Sequence, residues 1–499
     1  MITSACIRSQ ACTDTASAEL SGWVAEEMGT ADLKDPRLEK RLLLVMQRMF
    51  ASPVASLKAA CRGWSEAIAA YRFFNNEKVT EEAVLAAHQD ATLQRVRSQE
   101  RVLVIQDTTE IDYSSKKELE GKGPLSVQER QGFFAHSQYV VTPERVPLGL
   151  WGTKIYARDQ GGEKVSRKQQ PIELKESYRW MEGYRDACRL AEMAPETQVI
   201  SECDREGDIY EVFLEWQRRR ERGEAAAEWL IRSCQDRSLE PFEKRQAEHE
   251  AIAGKLCAAV QQSALLGTIE FDVKKHTGNK KVKGSRRKTV RQARRVIQAV
   301  RAIEVTLKAP QRKGTKLEAV KIGVVLAREI DPPAGQDRIE WVLLTSLPVA
   351  GFAAAQEVIS LYLARWDIEV FHRVLKTGCR VEKLQLTEAD RIKPAIVLYM
   401  IVAWRIAYVM KVGRMCPHLP CDVVFEEAEW RAVYHVVKRK PAVAKPTLGE
   451  MIAMIGSLGG HLGRKGDGAP GAQSMWQGLM RARDFALAWL LFTGRVQEI

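Results

Sequence analysis

Three acids in this chain are placed so that they could do metal chemistry: Asp107, Asp204 and Glu369. Each aspartate follows a short apolar run, RVLVI at 101–105 and TQVISEC at 197–203. An acid at the end of a buried strand is a common place for a catalytic carboxylate, and also for a turn or an N-cap. Taken singly, Asp107 reads as a turn residue. The arrangement occurs twice, however, and a third acid sits on an apolar helix. Carboxylates gathered in one pocket repel one another and are tolerated when divalent cations lie between them. Oxygen-only ligands favour Mg²⁺ or Mn²⁺ over zinc. Two such ions can activate a water or a 3′-hydroxyl and stabilise the leaving oxygen in phosphodiester chemistry. Glu110, Glu202, Glu206, Asp208 and Asp367 are neighbouring candidates. No Ser/His/Asp order, HExxH motif or nucleotide fingerprint competes.

The element that must carry Glu369 is 361–378, LYLARWDIEVFHRVLKTG. At about 100° per residue, Tyr362, Arg365, Glu369 and Lys376 fall within a ~60° arc. Leu361, Ile368, Phe371 and Leu375 cover one apolar flank, and Leu363, Trp366, Val370 and Val374 another. A helix apolar over most of its circumference is expected to be buried. Its stripe nevertheless holds a carboxylate, two cations and a phenol, and buried charges need partners, metals or a function. An internal salt-bridge ladder is the plain alternative. Asp367 points off the stripe and is disfavoured as a ligand. Gly378 reads as the helix stop.

The other elements follow in order. Residues 1–80 read as helical. Asp35-Pro36 places an N-cap before Pro at N1. The helix at 36–50 shows Arg37, Lys40, Arg41 and Arg48 opposite an apolar face, which suits either solvent or phosphates. A further helix covers 80–98. Strands are expected at 133–141, 146–157, 227–232 and 339–345, the last carrying Trp341, whose plain reading is core. Between 274 and 295 there are eleven Lys or Arg and no acid. That run accounts for most of the excess charge and favours nucleic acid over a solvated loop. Helices follow at 392–412, 448–458 and 475–492.

At 499 residues the chain is long enough for two to four domains. Its charge of +12 suits a polyanionic partner. Ten scattered cysteines suit reduced thiols. Cys416, His418 and Cys421 lack the fourth ligand of a zinc site. The glycine-rich stretch 459–471 lacks the order of a phosphate loop. The opening residues have no signal-peptide core, and the most apolar stretch, 395–410, is shorter than a membrane span. The expectation is a cytoplasmic protein with no membrane partner.

The spacing Tyr362-x-x-Arg365-x-x-x-Glu369-x-x-x-x-x-x-Lys376 resembles the Tyr-Arg-Glu-Lys signature of a bacterial insertion-sequence transposase family. Similar to that family too are the context of 365–378, Asp107-Thr108-Thr109, Cys203-Asp204-Arg205-Glu206, Trp341–Ser346, Tyr71-Arg72-Phe73 and the tail from 459 to Trp476. The resemblance implies a hairpin-forming cut-and-paste DDE transposase. Its fold would be α/β, with a ribonuclease-H-like core, a β-rich insertion and flanking helical domains. The implied domains are an end-binding domain at 1–75, a catalytic domain at 76–380 with its insertion at about 230–345, and a dimerisation domain at 381–499.

Position by position, the resemblance makes Asp107, Asp204 and Glu369 the catalytic, metal-holding triad, with Mg²⁺ as cofactor and Mn²⁺ as a substitute. Tyr362, Arg365 and Lys376 would contact the transposon end. Trp341 would stack on a flipped base, with Trp366 near it. Arg37, Lys40 and Arg41 on the N-terminal helix, and Lys280, Lys281, Arg286 and Arg287 in the basic insertion, would contact DNA. The partners would be double-stranded DNA, as transposon ends and target, and a second copy in a synaptic homodimer. The alternatives are a non-cleaving DNA-binding regulator and a metal-dependent nuclease.

Overall fold

The computed structural model describes residues 22–51, 57–61, 63–127, 129–159, 171–240, 254–282, 285–312 and 316–493. The opening segment read above for a signal sequence lies outside these residues. The architecture is mixed α/β, consistent with a ribonuclease-H-like core, with helical N- and C-terminal regions. The chain divides into two compact units, Met1–Glu163 with Trp366–Ile499, and Lys164–Arg365.

The first unit opens with α1 (Gly22–Met28), α2 (Pro36–Ala51), α3 (Leu57–Ala60), α4 (Trp64–Phe74) and α5 (Glu81–Arg97). Asp35 caps α2 as its sequence predicts, its carboxylate accepting from the Arg37 N–H at 2.9 Å. β1 (Arg101–Asp112), β2 (Gly123–Pro124), β3 (Gln131–Val141) and β4 (Pro147–Tyr156) follow, and β3 pairs antiparallel with the other three. β1 runs well past the apolar stretch that announced it. Its ladder with β3 carries the polar residues Gln106 to Glu110 along, so Asp107 lies within the strand, opposite Ser137, and does not end it.

The second unit holds α6 (Tyr178–Met193), β5 (Gln198–Cys203), α7 (Tyr210–Glu221), β6 (Glu228–Arg232), α8 (Leu256–Gln262), β7 (Leu265–Val273), β8 (His276–Val282), β9 (Ser285–Arg291), β10 (Arg294–Leu307), β11 (Val320–Glu329), β12 (Glu340–Thr345) and α9 (Gly351–Tyr362). β5 and β6 are parallel, and β6, β12, β11, β10 and β7 continue antiparallel. The helix α9 packs across β10, β11, β12 and β7. β8 and β9 form a separate ribbon.

Back in the first unit come α10 (Trp366–Arg373), α11 (Ala389–Met415), α12 (Glu427–Lys438), α13 (Leu448–Leu458) and α14 (Ala472–Phe492). α11 is apolar around most of its circumference and touches β4, α5, α2, α10, α13 and α14. It extends beyond the apolar stretch seen in sequence. It is therefore the one helix among the described residues long and apolar enough to cross a membrane, yet 78% of its most apolar window is buried by the rest of the structure. A buried charge network ties α1 to α5. Glu27 accepts from Arg95 at 2.8 and 2.9 Å and meets Nδ1 of His88, while His88 Nε2 accepts from the Leu150 N–H at 2.8 Å. Burial alone would push the Glu27 carboxyl up, but Arg95 and His88 more than offset it and hold the group at about 2.

The segment 361–378 is not one regular helix. α9 ends at Tyr362, Leu363–Arg365 is a 3₁₀ turn, α10 follows, and Val374–Gly378 is a π turn. A stripe drawn at constant α pitch therefore breaks twice. Trp366 is 50% and Val370 38% exposed, against the expectation of an apolar flank, and His372 is buried instead. Gly378 is not a left-handed stop either. A Cβ there would lie 2.8 Å from the Trp476 indole of α14, so it is glycine for close approach.

Candidate DNA-processing site

In the second unit, β5 delivers Asp204 at its C-terminal end. Its carboxylate accepts from the Glu206 N–H at 2.8 Å and caps the one-turn helix Arg205–Gly207. The capping role that an acid after a strand can play is therefore met by Asp204. The end of α9 and the turn after it bring Tyr362 and Arg365, 2% and 9% exposed. Burial raises the Tyr362 phenol well above its ordinary value. Arg365 and Arg232 pull it down, and Glu202 and Asp204 push it up. The phenol is therefore a neutral donor at any physiological pH. Trp341 on β12 is half-buried, not core, and its ring meets Tyr362 edge-on.

Arg232, at the end of β6, belongs to the same cluster and was missed in sequence. The only signal was an arginine closing the run AEWLIR. Its guanidinium is disfavoured by burial first and then by Arg205 and Arg365, two like charges nearby. Its Nε is buried with no hydrogen-bond partner. Three guanidiniums, a buried phenol and an indole in one place suit a phosphodiester with an adjacent base.

In the first unit, Asp107 Oδ1 accepts from the Thr108 N–H at 2.8 Å. The Thr108 hydroxyl and His136 Nδ1 are hydrogen-bonded at 2.9 Å, and His136 Nε2 lies 3.2 Å from Gln106 Oε1. Glu369 is half-buried on α10, which packs against β1. Burial raises the Asp367 carboxyl against the pull of the Arg145 and Lys411 charges. Lys376, on the π turn, is half-buried; burial lowers its ammonium, and the charges of Glu382, Glu110 and Asp112 only partly offset this.

By donor type, Asp107, Asp204 and Glu369 fit a hard divalent cation and not a soft one. Among the described residues no three His, Cys, Asp or Glu side chains stand together as a metal-binding group.

On α2, Arg37 and Lys40 are exposed and Arg41 is half-buried. Arg48 leaves this face, bonding Glu66 at 2.7 Å. Trp64 opens α4 with 68% of its surface exposed and Lys58 Nζ 5.3 Å over its ring, a second feature that sequence reading passed over. Lys280, Lys281, Arg286 and Arg287 lie on the β8–β9 ribbon, Lys280 opposite Arg287 and Lys281 opposite Arg286.

Two known families match parts of the chain. Residues 20–79 match the family described as transposase DNA-binding. Residues 401–488 match the family described as transposase Tn5 dimerisation domain. The first covers α1 to α4, and the second covers most of α11 and reaches into α14.

Proposed function

Starting from a Tn5-like transposase that binds DNA and forms a dimer, which the two family matches support, we propose that this chain excises and inserts its element by cut-and-paste chemistry. The observation that carries the reading is the cluster of Asp204, Tyr362, Arg365, Arg232 and Trp341 in one unit. It joins one acid to two guanidiniums, a phenol and an indole, groups whose chemistry suits phosphate and base, between a DNA-binding match and a dimerisation match in the chain.

Asp107, Asp204 and Glu369 would hold Mg²⁺, with Mn²⁺ substituting. When bound, such ions supply an activated water or 3′-hydroxyl and charge stabilisation at the leaving oxygen. The chain's own residues do the rest. Arg365 and Arg232 hold the phosphate of the transposon end, and Tyr362 donates its O–H to it. Lys376 holds a further phosphate. Trp341 offers its face to an extruded base, which offsets the few kcal/mol of unstacking, and Trp366 stands exposed as a second indole. Fixing both strands this way lets one strand be nicked and its 3′-hydroxyl be aimed at the other, closing a hairpin that is later reopened and joined to target DNA.

Arg37, Lys40 and Arg41 line the helix that would follow the end sequence, with Trp64 and Lys58 at its far corner. The basic ribbon 276–291 would lie along the duplex, and the C-terminal helices would join two copies into a synaptic homodimer on the nucleoid.

The test is incubation with the element's own ends and Mg²⁺, resolving nicked, hairpin and joined products on a denaturing gel. All three products are expected. Asp204→Asn should still bind ends but cut them on the order of a thousandfold more slowly. Binding by the wild-type chain without any cutting would favour a regulator. Nicks without hairpins or joining would favour a nuclease.

A further inference from the structure

Arg405 is the one charged residue in the apolar run 395–410 of α11. It lines a cavity of about 660 Å³ in the first unit, whose walls come from α1, α2 and α5 and from α11, α12 and α14. The residues that α1 and α2 contribute fall in the DNA-binding match, and those of α11, α12 and α14 in the dimerisation match. The Arg405 Cζ lies 5.3 Å from the centre of the Trp23 ring and 5.3 Å from that of Tyr408. One terminal nitrogen donates to the Val424 carbonyl at 3.2 Å. The Arg405 Nε is buried and has no hydrogen-bond partner among the described residues, and the same holds for the Trp23 Nε1.

The nearby acids are committed elsewhere. Glu27 accepts from Arg95 at 2.8 and 2.9 Å. Glu429 pairs with Arg483 at 2.9 Å and accepts from the Glu426 N–H at 2.9 Å. Glu426 in turn accepts from the Gly22 N–H at 2.6 Å. Two buried donors, an indole N–H and a guanidinium N–H, are left to satisfy in one cavity, and each is costly without an acceptor. A planar guanidinium matches a carboxylate. Trp23, Phe50, Trp404 and Trp430 give the same cavity aromatic surface for a flat apolar body, and its volume suits a small organic molecule. The lining carries six carboxylates against five cationic side chains. A doubly charged phosphate is therefore repelled more strongly than a single carboxylate. We propose that this cavity is a binding site for a small aromatic monocarboxylate, held through its carboxylate by Arg405 and Trp23. The site is independent of the DNA-processing cluster.

Equilibrium dialysis of the full-length chain tests this with three probes: naphthoate, its neutral counterpart naphthamide, and acetate. Naphthoate should bind at sub-millimolar concentration, and the other two about tenfold or more weakly, since each lacks either the charge or the apolar body. Arg405→Met, which keeps an unbranched apolar stem, should weaken naphthoate about tenfold and leave naphthamide unchanged. Thermal melting checks the fold of R405M. Trp23→Phe, which keeps an aromatic ring and loses the N–H, is the companion should R405M fail to fold, and it should bind naphthoate severalfold more weakly. No retention of naphthoate at millimolar concentration would overturn the site. Equal affinity for naphthoate and naphthamide would reduce it to apolar filling and overturn the carboxylate assignment. Parent-like naphthoate affinity in R405M, or in W23F where that variant stands in, would overturn it too.

Discussion

The rings of Trp341 and Tyr362 meet edge to face, 5.8 Å between centroids and 69° between planes. One is half-buried at the start of β12, and the other is 2% exposed at the end of α9. The indole is thus braced by the Tyr362 ring and only half-buried, and a stacking platform needs aromatic surface left accessible. Replacing Trp341 with Ala should cut hairpin formation about tenfold or more, at roughly 1–3 kcal/mol for a lost base stack, and leave the first nick nearly unchanged. Equal loss of nick and hairpin on a denaturing gel would remove the platform role.

Arg232 sits beside two other guanidiniums with a buried, unpartnered Nε. An arrangement of like charges costs energy until an anion enters it. Arg232→Ala should therefore weaken end-DNA binding about tenfold and lower its salt slope by about one. It should also leave thermal stability level or slightly raised. Arg232→Lys should recover the slope and only part of the affinity, since the planar fork is lost. Filter-binding titrations at several salt concentrations read both effects.

Glu27 makes stability depend on acid. Its carboxyl drops from the ordinary 4.5 to about 2 in the folded chain, which is worth roughly 3 kcal/mol. A depressed carboxylate stabilises fully above its unfolded value and loses that contribution as pH falls from about 4.5 toward 2. Burial lowers the His88 imidazole as well, so below the ordinary histidine range the unfolded chain takes up a proton that the folded chain refuses. Both groups act in one direction. Melting temperature should fall below about pH 6.5 and more steeply below 4.5. Glu27→Gln should flatten the lower limb and cost stability at neutral pH, because it leaves Arg95 without its carboxylate. An unchanged acid limb in that variant would show that the network does not set it.

Gly378→Ala places a methyl 2.8 Å from the Trp476 ring. The indole or the π turn must shift, at about 1–3 kcal/mol. A fall in melting temperature is expected. Gly254→Ala, where a Cβ meets nothing within 4 Å, is the control and should melt like the parent.

Much of the frame was legible because period and composition act locally. β5 announced itself as a short apolar run bounded by an acid, and the helix expected at 448–458 is α13. What was illegible depends on partners distant in sequence. β1 continues through Asp107 because β3 supplies its hydrogen bonds, and nothing in the polar residues 106–110 foretells that. The pitch changes around α10 are invisible to any fixed helical period. Trp341 looked like core because strand tryptophans usually are, but only the C-terminal half of β12 is buried. Arg232 was overlooked because one arginine at a strand end means little until its neighbours are known.

The contact between Gly378 and Trp476 has a further consequence. Trp476 lies on α14, inside the span that matches a dimerisation domain, and Gly378 closes the turn that carries Lys376. No cushioning layer separates the two. Any tilt of α14 passes straight into the turn that carries the lysine. The helix and the lysine-bearing turn are therefore one mechanical part: neither can shift alone while the indole fills the space that a side chain at 378 would take.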